Sequence, residues 1–497
     1  MMEQQISVSE LMAMSGVAFG TSGARGLVSA MTDLVCFTYS CAFLQHMEEL
    51  GQFGPGTHVA ISGDLRPSSP RIMAACAAAV RHMGGVVDNL GFIPSPALAA
   101  YGFERKIPSM MVTGSHIPDD RNGIKFNRAD GEVLKSDEQA MKAQDVALPD
   151  IFDGKAMLRD IATLPDPVDA SSAYIGRYLT FFEAGALKGL KLGVYEHSAV
   201  GRDILVAILE QLGAEVVRLG RSETFIPVDT EAVRPEDEAL ARNWASQYGL
   251  DAILSTDGDS DRPLLADETG RWLRGDVLGI LCAHALRIEQ VATPVSSNTA
   301  LERSGLFTAV SRTRIGSPFV IEALNQFIEQ GGTACGYEAN GGFILGTPVM
   351  VDGRTLPALS TRDAVLPMLA VIVAARREGV SIGRLQAQLP SRCTFSDRIK
   401  EFPTEQSKAL LAYLQCSDAD QSLKRLSQTF GDLAGAAIAV DSTDGLRISF
   451  DSGNIIHLRP SGNAPELRCY SESETPQDAA SINAKALALV RNLAFAH

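Results

Sequence analysis

The chain has no run of 18 apolar residues and no basic N-terminal segment leading into an apolar one. Neither a membrane-spanning helix nor a secretory leader is therefore expected, and the expected location is cytoplasmic. Any Cys-x-x-Cys pair is also missing. Eight cysteines stand scattered at 36, 41, 76, 282, 335, 393, 416 and 469, which reads as inert thiols in a reducing compartment, against zinc or a disulfide framework. Positive charge is in deficit, 44 basic residues facing 59 acidic ones for a net −15. That balance opposes non-specific binding to nucleic acid or to an anionic membrane, and an anionic ligand must find a local basic pocket. The mix of 45% hydrophobic and 21% charged residues excludes disordered, collagenous and coiled-coil classes.

At 497 residues the chain exceeds what one core serves, so roughly three or four domains are expected. Residues 58–91, "HVAISGDLRPSSPRIMAACAAAVRHMGGVVDNLG", read as a buried strand, a Gly/Arg/Ser loop, an alanine-rich helix, a glycine stop and a second strand. Residues 191–220 repeat that grammar, and a weaker third copy runs through 312–342. Three related α/β units are implied, with helices covering sheets. The tail differs: alternating runs bounded by turns, then an alanine-rich helix, predict a fourth domain of α+β type. Boundaries are placed at 1–155, 156–267, 268–380 and 381–497.

Five loops carry the chemistry. Ser115 follows the strand-like "IPSMMVT" and so sits outside the carboxyl end of a strand, where α/β sheets place ligands. A serine hydroxyl needs a base to act as a nucleophile, and His116 and Lys125 are near enough in sequence to supply one. A plain turn is the alternative, since Ser, Pro, Asp, Asn and Gly are turn formers. An esterase elbow is disfavoured because TGSHI lacks the second glycine of G-x-S-x-G.

In "LDAILSTDGDSDRPLLADETG", Asp257, Asp259 and Asp261 alternate after an apolar strand, so an extended backbone aims all three carboxylates one way. Together they could hold one magnesium, whose octahedral shell takes a few carboxylates and is completed by water or phosphate oxygens. Asp257, Asp259, Asp261 and Glu268 also fit four positions of an EF-hand, but Arg262 replaces its glycine and a strand, not a helix, precedes. A phosphatase with Asp257 as nucleophile and a solvated acidic turn stay open. Arg262 would offset repulsion between this cluster and an incoming phosphate. "GYEANGGFIL" places Glu338 and Asn340 in a glycine-flanked loop suited to sugar hydroxyls, and "HLRPSGNAPELRCYSES" surrounds a Ser-Gly turn with Arg459, Ser461, Asn463 and Arg468, able to grip a phosphate. "FGTSGARG" adds Arg25 in a tight loop.

Taken in order, these loops resemble the α-D-phosphohexomutase superfamily along essentially the whole chain. TGSHIP at 113–118 with NGIK at 122–125 is similar to the family's serine loop, DGDSDR at 257–262 matches its metal loop, and GTSGARG at 20–26 its N-terminal loop. YEANG at 337–341 and RPSGNAP at 459–465 match the sugar and phosphate loops in part. The resemblance implies three related α/β domains and a C-terminal domain like the TATA-binding-protein fold around a central cleft. It implies a phosphoryl group on Ser115, bound by Mg²⁺ together with Asp257, Asp259 and Asp261 and steadied by Arg262. His116 and Lys125 would do acid/base work and Arg25 would contact the transferred phosphate. Glu338 and Asn340 would hold sugar hydroxyls, and Arg459, Ser461, Gly462, Asn463 and Arg468 the phosphate that does not move.

The implied reaction interconverts hexose 1- and 6-phosphates through a hexose 1,6-bisphosphate, with a phosphosugar as partner, neither nucleic acid nor membrane, and a monomer or homodimer as the assembly. Ile117, Asn340 and the Asn463-Ala464 pair depart from the family pattern where substrate choice is made. The serine loop with "RNGIKFNRADGE" resembles bacterial phosphomannomutases, whereas Glu338 to Gly341 is similar to mutases of N-acetylglucosamine phosphate. Mannose and glucose phosphates are expected first, with glucosamine or N-acetylglucosamine phosphate as the alternative. A sugar-phosphate phosphatase and a non-catalytic sugar-phosphate-binding protein are the readings from other classes.

Overall fold

The computed structural model describes residues 4–20, 23–160, 163–461 and 465–494. Three sheets share one wiring. In the first, the strand His58–Gly63 pairs in parallel with Val86–Asn89 and Ser109–Val112, and the last of these turns back antiparallel into Arg121–Asn127. In the second, Lys191–Tyr195 pairs in parallel with Glu215–Leu219 and Ala252–Thr256, which turns back into Pro263–Ala266. In the third, Gln290–Pro294 pairs in parallel with Ala309–Thr313 and Ala334–Tyr337, which turns back into Phe343–Leu345. The same reversal thus makes the Ser115 loop, the 257–262 loop and the 338–342 loop, which is why triplication brings all three to one side.

Sequence chemistry sets the helices between these strands. Ser69–His82, Ser95–Arg105, Pro235–Tyr248 and Ser317–Gln330 each have proline in the first turn, where the missing N–H is no loss and the fixed φ suits the helix. Gly249 ends one of them in the left-handed region, at φ +61°, a conformation glycine adopts without a Cβ clash. The third repeat is displaced from the expected alignment. Its helix Ser317–Gln330 is the counterpart of Ser95–Arg105 and Pro235–Tyr248, not of Ser69–His82; the counterpart of that last helix is the single turn Ala300–Arg303. One turn carries too few apolar positions to show a period.

The fourth unit is a five-stranded antiparallel sheet ordered Cys393–Ile399, Leu467–Ser473, Ile455–Pro460, Leu446–Phe450, Ala437–Asp441, more strands than the alternating runs alone marked. Its core, including Leu414, Phe430, Ile448, Leu458 and Leu467, is its own. The second and third units instead share one continuous core with part of the first, including Leu98, Tyr178, Leu254, Leu278 and Leu369. Among the described residues no helix is long and apolar enough to cross a membrane.

Two buried histidines give the fold a measurable acid limit. His197 Nε2 donates to Thr256 O at 2.8 Å and His457 Nε2 to Asp444 O at 2.6 Å. Burial pulls each from 6.5 down to about 4, the accepting carbonyls notwithstanding. Between those values only the unfolded chain takes up the protons, so this stability is present above pH 6.5 and is lost as pH falls toward 4. Each histidine contributes a slope of about 1.4 kcal/mol per pH unit. Denaturant titrations of wild type and His457→Gln at pH 6 and pH 5 should show the shallower dependence in the variant; equal slopes would contradict it.

Candidate active site

Ser115 is fully buried and takes φ +56°, a left-handed conformation that costs a non-glycine residue about 1–2 kcal/mol. The surroundings hold it there. Its N–H donates to Thr113 Oγ1 at 2.7 Å, and the Arg66 guanidinium donates to the carbonyls of Ser115 (2.9 Å), Ile117 (2.5 Å), Pro118 (2.6 Å) and Arg121 (3.0 Å). Asp64 aligns Arg66 through Nε at 3.0 Å and also accepts the hydroxyls of Thr113 and Ser69. A Cβ on Gly114 would lie 2.6 Å from the Arg66 guanidinium carbon, so glycine there lets the loop close on its arginine.

The 257–262 loop meets this serine. Ser115 Oγ donates to Asp257 Oδ2 at 2.5 Å and lies 3.4 Å from His116 Nδ1. Asp257 Oδ1 is occupied by the N–H groups of Asp261 (3.3 Å) and Arg262 (3.2 Å). Lys125 Nζ sits between Asp259 Oδ2 (2.5 Å) and Asp261 Oδ2 (2.6 Å), and the Ser95 hydroxyl donates to Asp259 Oδ2 at 2.6 Å. The second oxygens, Asp259 Oδ1 and Asp261 Oδ1, are buried without a hydrogen-bond partner. One carboxylate oxygen from each of the three aspartates lies within 4.8 Å of the other two. Bare, buried, hard oxygen donors in that spacing fit a divalent cation such as Mg²⁺.

Charge in the cluster is divided unevenly. Burial, with Asp259 and Asp261 as neighbours, raises the Asp257 carboxyl well above its ordinary range. Burial also opposes ionisation of Asp259 and Asp261, but Lys125 and Arg362 outweigh it and hold both below the ordinary value. Burial and then Arg262 lower His116 to about 3; Arg262 Nη1 donates to its Nδ1 at 2.9 Å, so the ring is a neutral acceptor. Arg25, on the strand Ala24–Leu27, is brought down to about 10 by burial and then by Arg262. The 257–262 turn runs between two strands, and Glu268 turns away to accept from Ser381 and the Gly383 N–H, so the EF-hand reading is excluded.

The sugar-type loop is tied to itself and to the second unit: Asn340 Oδ1 accepts the Gly342 N–H at 3.0 Å and Asn340 Nδ2 lies 3.5 Å from Glu338 Oε2, while Thr230 of the second unit donates to Asn340 O at 2.7 Å. Arg459 and Arg468 face each other on neighbouring strands of the fourth unit, with Arg459 Nε on Asp444 at 2.8 Å. The Ser461 N–H bonds to Glu466 O, while Gly462 and Asn463 lie outside the described residues. Sequence reading missed Asp64, Arg66, Ser95 and Glu231. Burial, opposed first by Arg274 and helped by Asp229, raises the Glu231 carboxyl above its ordinary value.

Family models of phosphoglucomutase/phosphomannomutase match all four parts of the chain: alpha/beta/alpha domain I over 16–145, domain II over 172–270, domain III over 274–393 and the C-terminal domain over 411–489. The sequence is 45% identical over 468 residues to a phosphomannomutase of Salmonella muenchen, covering 94% of each chain. It is 44% identical over 479 residues to a phosphomannomutase of Sinorhizobium fredii, covering 96% of this chain and 99% of that one. A solved structure described as a putative phosphomannomutase from Thermus thermophilus has the same fold, with a TM-score of 0.71 at 20% identity over 96% of this chain and 99% of the other. This chain belongs to the phosphoglucomutase/phosphomannomutase family.

Proposed function

We propose that this phosphohexomutase interconverts mannose 1-phosphate and mannose 6-phosphate, with glucose phosphates as the next substrates, and that Ser115 carries the phosphoryl group. The observation that carries the reading is the Ser115 hydroxyl at 2.5 Å from Asp257, inside a ring of carboxylates and cations. Two relatives above 40% identity, both described as phosphomannomutases, favour mannose.

Phosphoserine 115 gives its phosphoryl to the sugar 6-hydroxyl: an O6–P bond forms as the Oγ–P bond breaks, the 6-hydroxyl proton leaves to a base and Oγ takes up a proton. The bisphosphate then turns over, and Ser115 Oγ gives its proton to a base as it bonds the 1-phosphoryl, while the P–O1 bond breaks and O1 takes a proton. His116 and Lys125 are assigned to the acid/base work: Lys125, held between two carboxylates, offers charge, whereas His116, with Nδ1 occupied by the Arg262 N–H and its basicity lowered by burial, must first give up that bond to take a proton. Arg25 and Arg262 are assigned to the transferred phosphate, Glu338 and Asn340 to the sugar, and Arg459, Ser461, Gly462, Asn463 and Arg468 to the distal phosphate. Asp257, Asp259 and Asp261 would hold Mg²⁺ together with the phosphate of Ser115, neutralising the charge gathered in transfer. Hexose 1,6-bisphosphate would prime the serine. A reducing, cytoplasmic setting is inferred from eight free cysteines, six of them buried.

The test follows isomer and inorganic phosphate in the same sample, with mannose, glucose, glucosamine and N-acetylglucosamine 1-phosphates, Mg²⁺ and a trace of hexose 1,6-bisphosphate. Isomer should form, fastest from mannose 1-phosphate and with little free phosphate. Phosphate release without isomer would overturn the reading in favour of hydrolysis, and a preference for an amino sugar would overturn the choice of mannose.

A further inference from the structure

A buried arginine outside every sequence motif lies where three of the four units meet. Arg362, on the strand Leu359–Asp363 of the third sheet, is 3% exposed. A guanidinium is costly to bury unless acceptors surround it. Its Nη2 lies 3.1 Å from Asp261 Oδ2 in the second unit, its Nε 3.6 Å from Glu132 Oε1 in the first, and its Nη1 4.0 Å from Glu338 Oε2 in its own. The stem is used as well. A Cβ on Gly342 would come within 2.8 Å of Arg362 Cδ, so the 338–342 loop rests directly on the arginine arm.

Both ends of this bracket are fixed. Glu132 accepts the Thr361 hydroxyl at 2.8 Å and the Arg362 N–H at 3.3 Å, and the Ser317 hydroxyl lies 3.4 Å from its other oxygen. The next residue, Asp363, caps the helix Val365–Glu378 through the Val365 N–H and accepts the hydroxyls of Tyr174 (3.0 Å) and Tyr178 (2.6 Å) from the second unit. The backbone at 362 is therefore pinned while its side chain reaches the other two units.

We propose that Arg362 is a positioning residue that sets the distance between the sugar-holding loop and the phosphoryl-carrying half of the cleft, with Glu132 as its anchor. The proposal rests on the mutase reading above. Replacing the Arg362 side chain leaves Asp261 its bond to Lys125, so the metal-type carboxylates keep a cation, and leaves Glu132 its bonds from the Thr361 hydroxyl and the backbone N–H of residue 362, while the guanidinium's contacts with Glu338, Glu132 and Asp261 are lost. Alignment should suffer more than cation binding.

The experiment compares wild type with Arg362→Gln, Arg362→Lys, Glu132→Gln and the double glutamine variant, measuring kcat and KM for mannose 1-phosphate, Mn²⁺ binding by electron paramagnetic resonance, and circular dichroism. Each single glutamine variant should lose about 10²-fold in kcat/KM, the cost of a misplacement of roughly 1 Å, with Mn²⁺ binding kept within about threefold. The double variant should lose no more than the worse single one, since both break the same contact, and Arg362→Lys should recover part of the loss. Should Arg362→Gln lose native dichroism, Glu132→Gln, which removes only a charge, carries the comparison. Unchanged kcat/KM, losses that multiply in the double variant, or Mn²⁺ binding lost in step with turnover would overturn the proposal. A wild type that forms no isomer overturns the mutase reading itself, whereas an active wild type with indifferent variants overturns this inference alone.

Discussion

Replacing Ser115 with alanine is expected to lower mutase turnover by about 10⁴-fold or more, the scale of removing a nucleophile from a concerted site. The fold should survive, because the backbone of this loop is held by Thr113 and by Arg66 on four carbonyls, not by the serine hydroxyl. Ser115→Gly separates chemistry from strain: glycine adopts the left-handed φ at no steric cost, so this variant should be as inactive as alanine yet at least as stable to heat. Steady-state turnover beside thermal unfolding checks both statements. Near-normal turnover in either variant would remove the hydroxyl from the reaction.

Asp257→Asn should have the second largest effect, a fall in kcat on the order of 10²–10³, with divalent-cation binding weakened at least about tenfold. The amide has the same shape, and its oxygen can still accept the N–H groups of Asp261 and Arg262. What disappears is one negative charge from a buried trio. Because burial and two neighbouring carboxylates already disfavour ionisation at this position, the metal-free variant should melt higher than metal-free wild type. Added Mg²⁺ should stabilise wild type and leave the variant nearly unmoved. A variant that melts lower without metal, or binds Mg²⁺ as wild type does, would contradict this account of the cluster.

The chemistry-bearing loops were legible because each is short and contiguous, but Asp257, Asp259 and Asp261 converge through a turn, with Ser260 at φ +58° and its N–H on Asp257 O, and not through the extended backbone that alternation implies. Their common origin was legible only in part. Two βαβ copies stood out by their glycine stops, whereas the third was read out of phase because Ala300–Arg303 has shrunk to one turn. What escaped were partners far apart in the chain that carry no local pattern. Ser95 and Asp259 are separated by 164 positions, and Glu132 and Arg362 by 230; nothing near Arg362 sets it apart from any surface arginine. Arg66 stood in a loop already read as Gly/Arg/Ser, but its role comes from sitting beneath a different loop of the same sheet.

The most direct measurement is to incubate the protein with hexose 1,6-bisphosphate carrying one radiolabelled phosphate, digest it, and locate the label by peptide mass spectrometry. The label is expected on the Ser115 peptide, and unlabelled mannose 1-phosphate should chase it into mannose phosphates. Label that never reaches Ser115, or an acid-labile phosphate on Asp257 in its place, would contradict it.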